Sequence, residues 1–294
     1  MSSVPTYTGA TRPTSPSAGD AIYLSDVNRL AIYDGDISDW RLFNSDGVVY
    51  NAAAPNELHY TGGIYDSPSA SYYLETAPIY HLDASIINGQ DGSGNPANSS
   101  AIPAWVDRVN LVSGTQATAS KQALYVPSDS SANNKAGVRF DGTDFYSLDS
   151  SLSPASVTYI VVTKSDPTIT YSVGLSGSQF QASYWFKYTN NSDYVFGASK
   201  GNFTTQAQLE APNIYIVTRA GTATEFRING GAALWSGTQV GAVTVSKLGY
   251  NHLNYHTGVI YEIVLCDQEL TDSDLDTTIS YLGNKYGITT SAVS

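Results

Sequence analysis

The chain is a succession of short apolar runs, each closed by turn-forming residues. Ala21–Leu24, Arg29–Tyr33 and Trp40–Phe43 are rich in β-branched, aromatic and other apolar residues and end in Asp, Asn, Gly and Ser clusters, which predicts a small three-stranded meander over 20–47. The same rhythm returns beyond residue 77. It predicts strands at Gly137–Phe140, Phe145–Leu148, Ser156–Lys164, Ile169–Leu175, Ala182–Tyr188, Asp193–Ala198, Asn213–Ala220, Ala223–Ile228, Val243–Leu248 and Thr257–Asp267. Several alternate in period two, whereas Thr158–Thr163 and Ile260–Leu265 are almost continuously apolar, as central sandwich strands are. One segment has helical period instead: Thr271 can cap it, Asp274 stands three residues on, and Leu275, Ile279, Leu282 and Tyr286 share one face up to Gly287. Residues 1–19, with three prolines, predict an extended arm; 48–76 form a polar connector with no assigned elements; 289–294 are a polar tail.

Composition narrows the function classes. Charged residues make up 14% of the 294, against roughly 25% in an average soluble domain, so the polar surface is built from neutral side chains. Such a surface suits rigid particles and glycan contact. The net charge of −12 repels phosphate backbones and anionic membranes, so neither nucleic acid nor membrane insertion is expected. Cys266 is the single cysteine and excludes an intrachain disulfide. Residues 1–19 lack the basic-then-apolar order of a secretory signal, so synthesis in a cytoplasm is expected, with release by another route such as lysis.

Candidate chemistry is sparse. A strand-borne pair of glycanase carboxylates needs acids two apart, but Glu262 has Ile260 and Val264 there, and Glu225 has Ala223 and Arg227. The expectation is therefore no catalytic residue and no enzyme. His252 and His256 are four apart, yet Asn251, Asn254 and Gly258 predict loop rather than a zinc-bearing helix. Asp91, Ser93 and Asn95 have the oxygen-rich spacing of a calcium loop without the later glutamate of an EF-hand, so a structural calcium ion stands beside the plainer reading of a turn. Tyr250, Asn251, His252, Asn254, Tyr255 and His256 combine rings for stacking with polar donors and form the candidate glycan-binding loop; core packing is the competing reading.

Several elements together resemble a known fold. Tyr80-His81-Leu82-Asp83-Ala84, Ala104-Trp105-Val106-Asp107, Val138-Arg139-Phe140-Asp141-Gly142, Arg227-Ile228-Asn229-Gly230 and Tyr261–Asp267 followed by Tyr281–Gly287 resemble, in order, the elements of concanavalin A-like (laminin G-type) domains. The resemblance implies an all-β concanavalin A-like β-sandwich (jelly roll) over 77–288 with one short C-terminal helix, preceded by the extended arm and small β-meander. The stretch from Gly9 to Gly47 is similar to segments that open virion structural proteins of marine and cyanobacterial tailed phages. That likeness implies a phage virion structural protein, a capsid decoration or head-fibre knob. Arg12, Pro13, Tyr23, Tyr33, Trp40 and Phe43 would anchor it to major capsid or other virion proteins, as a homo-oligomer on the particle surface. A tail-fibre protein binding a cell-surface glycan is the alternative, and a secreted carbohydrate-binding module or glycanase the third.

Overall fold

The computed structural model describes residues 78–293 apart from 90–93, 110–111, 167–170, 178–182, 189–192, 197, 239–242 and 252–253, and before them only the backbone of six strands. Internal contacts divide the chain into Met1–Ala77 and Pro78–Ser294.

In the first unit the strands Thr6–Tyr7, Ala21–Leu24, Arg29–Asp34, Asp39–Phe43, Val49–Asn51 and Leu58–His59 form one sheet in chain order. The first pair is parallel and the others antiparallel. Tyr33 stands opposite Trp40, and Leu30 opposite Phe43, in the register of the meander. Arg12 and Pro13 lie outside the described residues. Within the connector that the sequence left unassigned, Val49–Asn51 and Leu58–His59 continue the same sheet.

The second unit is an all-β sandwich. Its larger, antiparallel sheet runs Leu124–Asp129, Lys135–Asp141, Thr257–Cys266, Val157–Ser165, Asn213–Ala220, Ala223–Ile228, Trp235–Thr238. Tyr80–Asp83 lies beside the far half of Thr257–Cys266, so this one strand pairs along its first half with Lys135–Asp141 and along its second with Tyr80–Asp83. Facing it are a five-stranded sheet (Leu175–Ser176, Val245–Leu248, Tyr146–Leu152, Ser113–Thr115, Ala104–Val106) and a four-stranded one (Tyr171–Val173, Trp185–Tyr188, Asp193–Val195, Ala198–Gly201).

Side-chain alternation gives the large sheet two buried faces. One face sends Val138, Phe140, Tyr159, Val161, Tyr215, Val217, Phe226 and Ile263 into the sandwich core, where Trp105, Tyr146, Trp185 and Leu248 meet them. Trp185 stacks on Tyr215 with ring centroids 4.0 Å apart, a pairing that adds about 0.5–1.5 kcal/mol beyond the area it buries. Residues of the opposite parity, such as Ile160, Val162, Ile214 and Ile216, are also fully buried but lie outside that cluster. The helix Asp272–Tyr286 covers this second face with Leu275, Ile279, Leu282 and Tyr286. Thr271 caps it and Gly287 ends it at φ 70°, as the sequence predicts. Double burial is why the central strands read as continuous apolar runs. Gly258 is needed at the crossing of two such strands, because a Cβ there would stand 2.2 Å from the Lys164 carbonyl oxygen. A short helix, Gln206–Glu210, closed by a Thr205–Gln208 capping box, was not expected from the pattern.

Candidate functional site: an aromatic platform at one end of the sandwich

Three connections converge at one end of the second unit: 116–122, 141–147 and 249–256. The Phe145 backbone is clamped from two directions. Its N–H donates to the Lys121 carbonyl at 3.3 Å, and its carbonyl accepts from Gln116 Nε2 at 2.9 Å. The third connection folds as a small hairpin, Tyr250–Asn251 against Asn254–Tyr255, with Tyr250 opposite Tyr255. The two tyrosine ring centroids are 4.8 Å apart, and Phe145 lies 5.5 Å from Tyr250 and 6.2 Å from Tyr255. All three rings are half-buried, so each keeps a surface toward solvent.

The hairpin is held from below. Gly249, at φ 73°, turns the chain into it, and a Cβ at that position would meet the Phe140 ring at 2.4 Å. The His256 N–H closes the turn onto the Gly249 carbonyl at 2.8 Å, and the Gly142 N–H reaches the His256 carbonyl at 3.1 Å, joining the second and third connections. The His256 ring is wholly buried. Its Nδ1 accepts from the Val173 N–H at 3.2 Å, which leaves the proton on Nε2, 3.3 Å from Thr163 Oγ1. Thr163 Oγ1 in turn donates to the Val259 carbonyl at 2.9 Å. Burial pushes the imidazole down to about 3, so it is neutral at ordinary pH.

Two ammonium groups lie over the rings. Lys121 Nζ is 5.9 Å from the Phe145 centroid and 5.6 Å from that of Tyr255; Lys247 Nζ is 5.4 Å from Phe145. Lys247 also donates to Ser147 Oγ at 2.7 Å. Neither lysine has a carboxylate within ion-pair reach among the described residues. Below Phe145, Asp144 is buried and accepts from the Asp141 N–H at 2.9 Å. Burial first, and then the charge of Asp141, push its carboxyl up to about 6 despite the hydrogen bond and the attraction of Lys121. A flat apolar ring with polar edges can stack here while its substituents meet cations.

Tyr250 and Tyr255 of the candidate glycan-binding loop lie on the hairpin with their rings half-buried. Others in the expected loop are corrected. Asn251, Asn254 and His256 are buried, the His256 ring bonds Val173 and Thr163, and His252 lies outside the described residues. Lys121, Phe145 and Lys247 were missed. Each comes from a different part of the chain, and no local pattern marks them as neighbours.

The proposed calcium loop fares differently. Asp91 and Ser93 lie outside the described residues. Asn95 is a staple: its Oδ1 accepts from the Ile87 N–H at 3.0 Å, and its Nδ2 donates to the Ser85 carbonyl at 2.6 Å and to Tyr125 Oη at 3.1 Å. Its carboxamide oxygen is already engaged by backbone.

Three of the segments that carried the resemblance, 80–84, 261–267 and 281–287, converge elsewhere, in a buried ionic cluster. Lys285 Nζ lies 2.8 Å from both Asp83 Oδ2 and Glu262 Oε2. His81 Nε2 is 2.7 Å from Glu262 Oε1, Arg108 reaches Asp83 Oδ2 at 3.3 Å, and Tyr286 donates to Glu262 Oε2 at 2.7 Å. Ligand atoms of His81, Asp83 and Glu262 come within 4.8 Å of one another, a spacing compatible with a metal. The donor set does not fit one, because the Lys285 ammonium already occupies the position between the carboxylates. Burial alone would raise Asp83 and Glu262; Lys285 outweighs it, aided at Asp83 by Arg108 and at both by His81, and holds them below the usual carboxylate range.

One groove brings acids together in a way the two-apart search could not find. Glu225 and Glu269, with Asp272, line a cavity of about 280 Å³ beside the start of the long helix. Glu225 pairs with Arg227 at 2.5 Å. Glu269 is raised by burial and then by Glu225.

No family model matches the chain, and no curated protein does. Solved structures are similar at the level of backbone course. Trypanosoma rangeli sialidase in complex with 2,3-difluorosialic acid is 14% identical, with 91% of this chain and 45% of that one covered at a TM-score of 0.47. The same sialidase without a named ligand gives 14%, 92%, 46% and 0.46. Domain 4 of AbnA, a GH43 extracellular arabinanase from Geobacillus stearothermophilus in complex with arabinotriose, gives 13%, 72%, 98% and 0.43. The chain spans less than half the length of the sialidases it matches. The expectation that this protein is not an enzyme is corrected by these neighbours, which are glycoside-cleaving proteins. At such identities and TM-scores the likeness assigns no activity to this chain, and the acids that line the Glu225–Glu269 groove come from different elements, which a search for acids two apart on one strand does not reach.

Proposed function

We propose that this chain is a glycan-binding surface protein of a tailed-phage virion, with a concanavalin A-like sandwich that presents the Phe145–Tyr250–Tyr255 platform to a host saccharide. The observation that carries the binding role is the platform itself: three half-buried rings within 6.2 Å of one another, fixed by backbone bonds and a buried histidine, at the end of a rigid sandwich. Stacking of a sugar ring needs a preorganised apolar surface, and the clamp on Phe145 and the seated hairpin supply it without ordering cost on binding. Support for the virion setting comes from the resemblance of residues 9–47, and the six-stranded first unit is the candidate anchor to other virion proteins and to further copies of this chain.

A glycan array with the full chain tests the binding role. Defined saccharides are expected to bind reproducibly, with loss in Tyr250→Ala and in Phe145→Ala at unchanged melting temperature. An array with no reproducible signal would remove the role. The same samples, followed for release of sugar, show whether a bound saccharide is also cleaved and whether Glu225→Gln or Glu269→Gln stops it. Deleting residues 1–59 tests anchoring: particles that take up the shortened chain normally would end that part of the proposal.

A further inference from the structure

We propose that the platform takes an anionic saccharide, one bearing carboxylate or sulfate groups, with Lys121 and Lys247 as the cations that recognise it. The inference rests on the glycan-binding reading and adds the ligand's charge to it.

The argument is how this protein uses its cations. It has 14 lysines and arginines against 26 acids, so a carboxylate partner is seldom far away. Most described cations take one: Arg108 and Lys285 with Asp83, Arg139 with Asp166, Lys164 with Asp129, Lys187 with Asp193, Arg227 with Glu225. Lys121 and Lys247 take none among the described residues, yet both are held over the same ring of Phe145. Each ammonium group lies over an aromatic ring with no carboxylate within ion-pair reach among the described residues, and the ring only partly offsets its charge. An arriving anion supplies the counter-charge. Lys247 engages Ser147 Oγ, and an ammonium carries three donors, so further protons remain for a ligand. Because both ammonium groups lie within 5.9 Å of one ring centroid, they reach charges on the sugar stacked there or on its immediate neighbour. Asp144, next to Phe145 in the chain, is buried with its carboxyl turned to the Asp141 N–H, and it attracts Lys121 only from beyond ion-pair distance. A neutral sugar would stack but leave both lysines unused, and a cationic one would be repelled.

Calorimetry on the full chain with three matched probes tests this: an oligogalacturonate, the same oligosaccharide with its carboxylates reduced to alcohols, and a sulfated derivative of that neutral form. The galacturonate is expected to bind, and the reduced form about 100-fold more weakly, about tenfold for each charge-assisted contact. Lys121→Gln/Lys247→Gln should lose that same factor for the galacturonate and nothing for the neutral oligosaccharide; Lys121→Arg/Lys247→Arg should restore most of it. Affinity should fall as salt rises. Binding of the sulfated but not the carboxylated probe would assign the anion as sulfate within the same proposal. Equal affinity for charged and neutral probes, unmoved by the glutamine variant, would overturn the proposal while leaving the glycan-binding reading intact. Binding to none of the probes, with neutral sugars bound elsewhere on an array, overturns it as well; a wholly silent array removes both readings.

Discussion

Two regions of the sandwich unit use the same kinds of side chain to opposite ends. The cluster around Lys285 and the platform around Phe145 both combine lysine, carboxylate and aromatic groups. In the cluster, Asp83 and Glu262 are fully buried and each charge is matched by another from a different element, so the strands Tyr80–Asp83 and Thr257–Cys266, the 107–108 turn and the long helix are tied together. On the platform the rings are half-exposed and the two lysines have no carboxylate partner among the described residues. Removing charges from water is costly, and it is sustained only where the partners are complete. A complete set is therefore a structural lock, and an incomplete set at the surface leaves charge available to an arriving anion, as proposed above.

The sharpest way to break this contrast is Lys285→Met. It leaves two buried carboxylates with too little positive charge, and a loss of about 3–5 kcal/mol is expected in urea unfolding. A loss under about 1 kcal/mol would show the cluster to be hydrated and the contrast false. Acid should act almost as strongly. Asp83 and Glu262 have folded values below their unfolded ones, so their contribution is present above the ordinary carboxylate range and is lost as pH falls through the folded values. His256, pushed down to about 3, adds a loss that begins below pH ~6.5, where the unfolded imidazole takes a proton that the folded one refuses; by pH ~3 this one group costs on the order of 4 kcal/mol. Melting temperature followed from pH 7 to pH 3 should fall, although Asp144, raised to about 6, takes its proton more readily when folded and opposes the loss below pH ~6; in His256→Gln the part between pH 6.5 and 5 should level off or reverse.

Asn95→Ala removes three hydrogen bonds to the 85–87 turn and Tyr125 and should cost about 2 kcal/mol. The smallest effect sharpens the other side of the comparison. Lys121→Gln and Lys247→Gln should change stability by less than about 0.5 kcal/mol while changing anion binding, because a half-exposed cation without a carboxylate in ion-pair reach contributes little to folding. A large loss of stability in either would place the platform with the lock.

The long helix was readable from Thr271 to Gly287 because capping, helical period and the terminal glycine are local signals. The strands Asn213–Ala220 and Ala223–Ile228 were readable for the same reason, with burial continuous along the first because both faces of its sheet are covered. Gln206–Glu210, the strand Leu124–Asp129 and the short strands after residue 48 were not, since their propensities are weak and pairing decides them. At the site, the tyrosines of the hairpin were visible as a cluster in sequence, but the roles of their neighbours were reversed. His256 and Asn251 look like ligand-facing donors in a polar loop, yet alternation along a two-residue hairpin turns Asn251 inward, and the turn at Gly249 seats His256 on Phe140. Composition and spacing cannot report which side of a hairpin faces the core.

The sequence alone determined the all-β character, the strand rhythm and the capped helix, because each follows from interactions within a few residues. Only the tertiary structure decided which charges would be matched. Lys285 meets Asp83 across some two hundred positions, whereas Lys121 and Lys247 each lie over Phe145 with no carboxylate within ion-pair reach among the described residues. Coulomb energies depend on distance in space and on access to water, and neither is written in the order of residues.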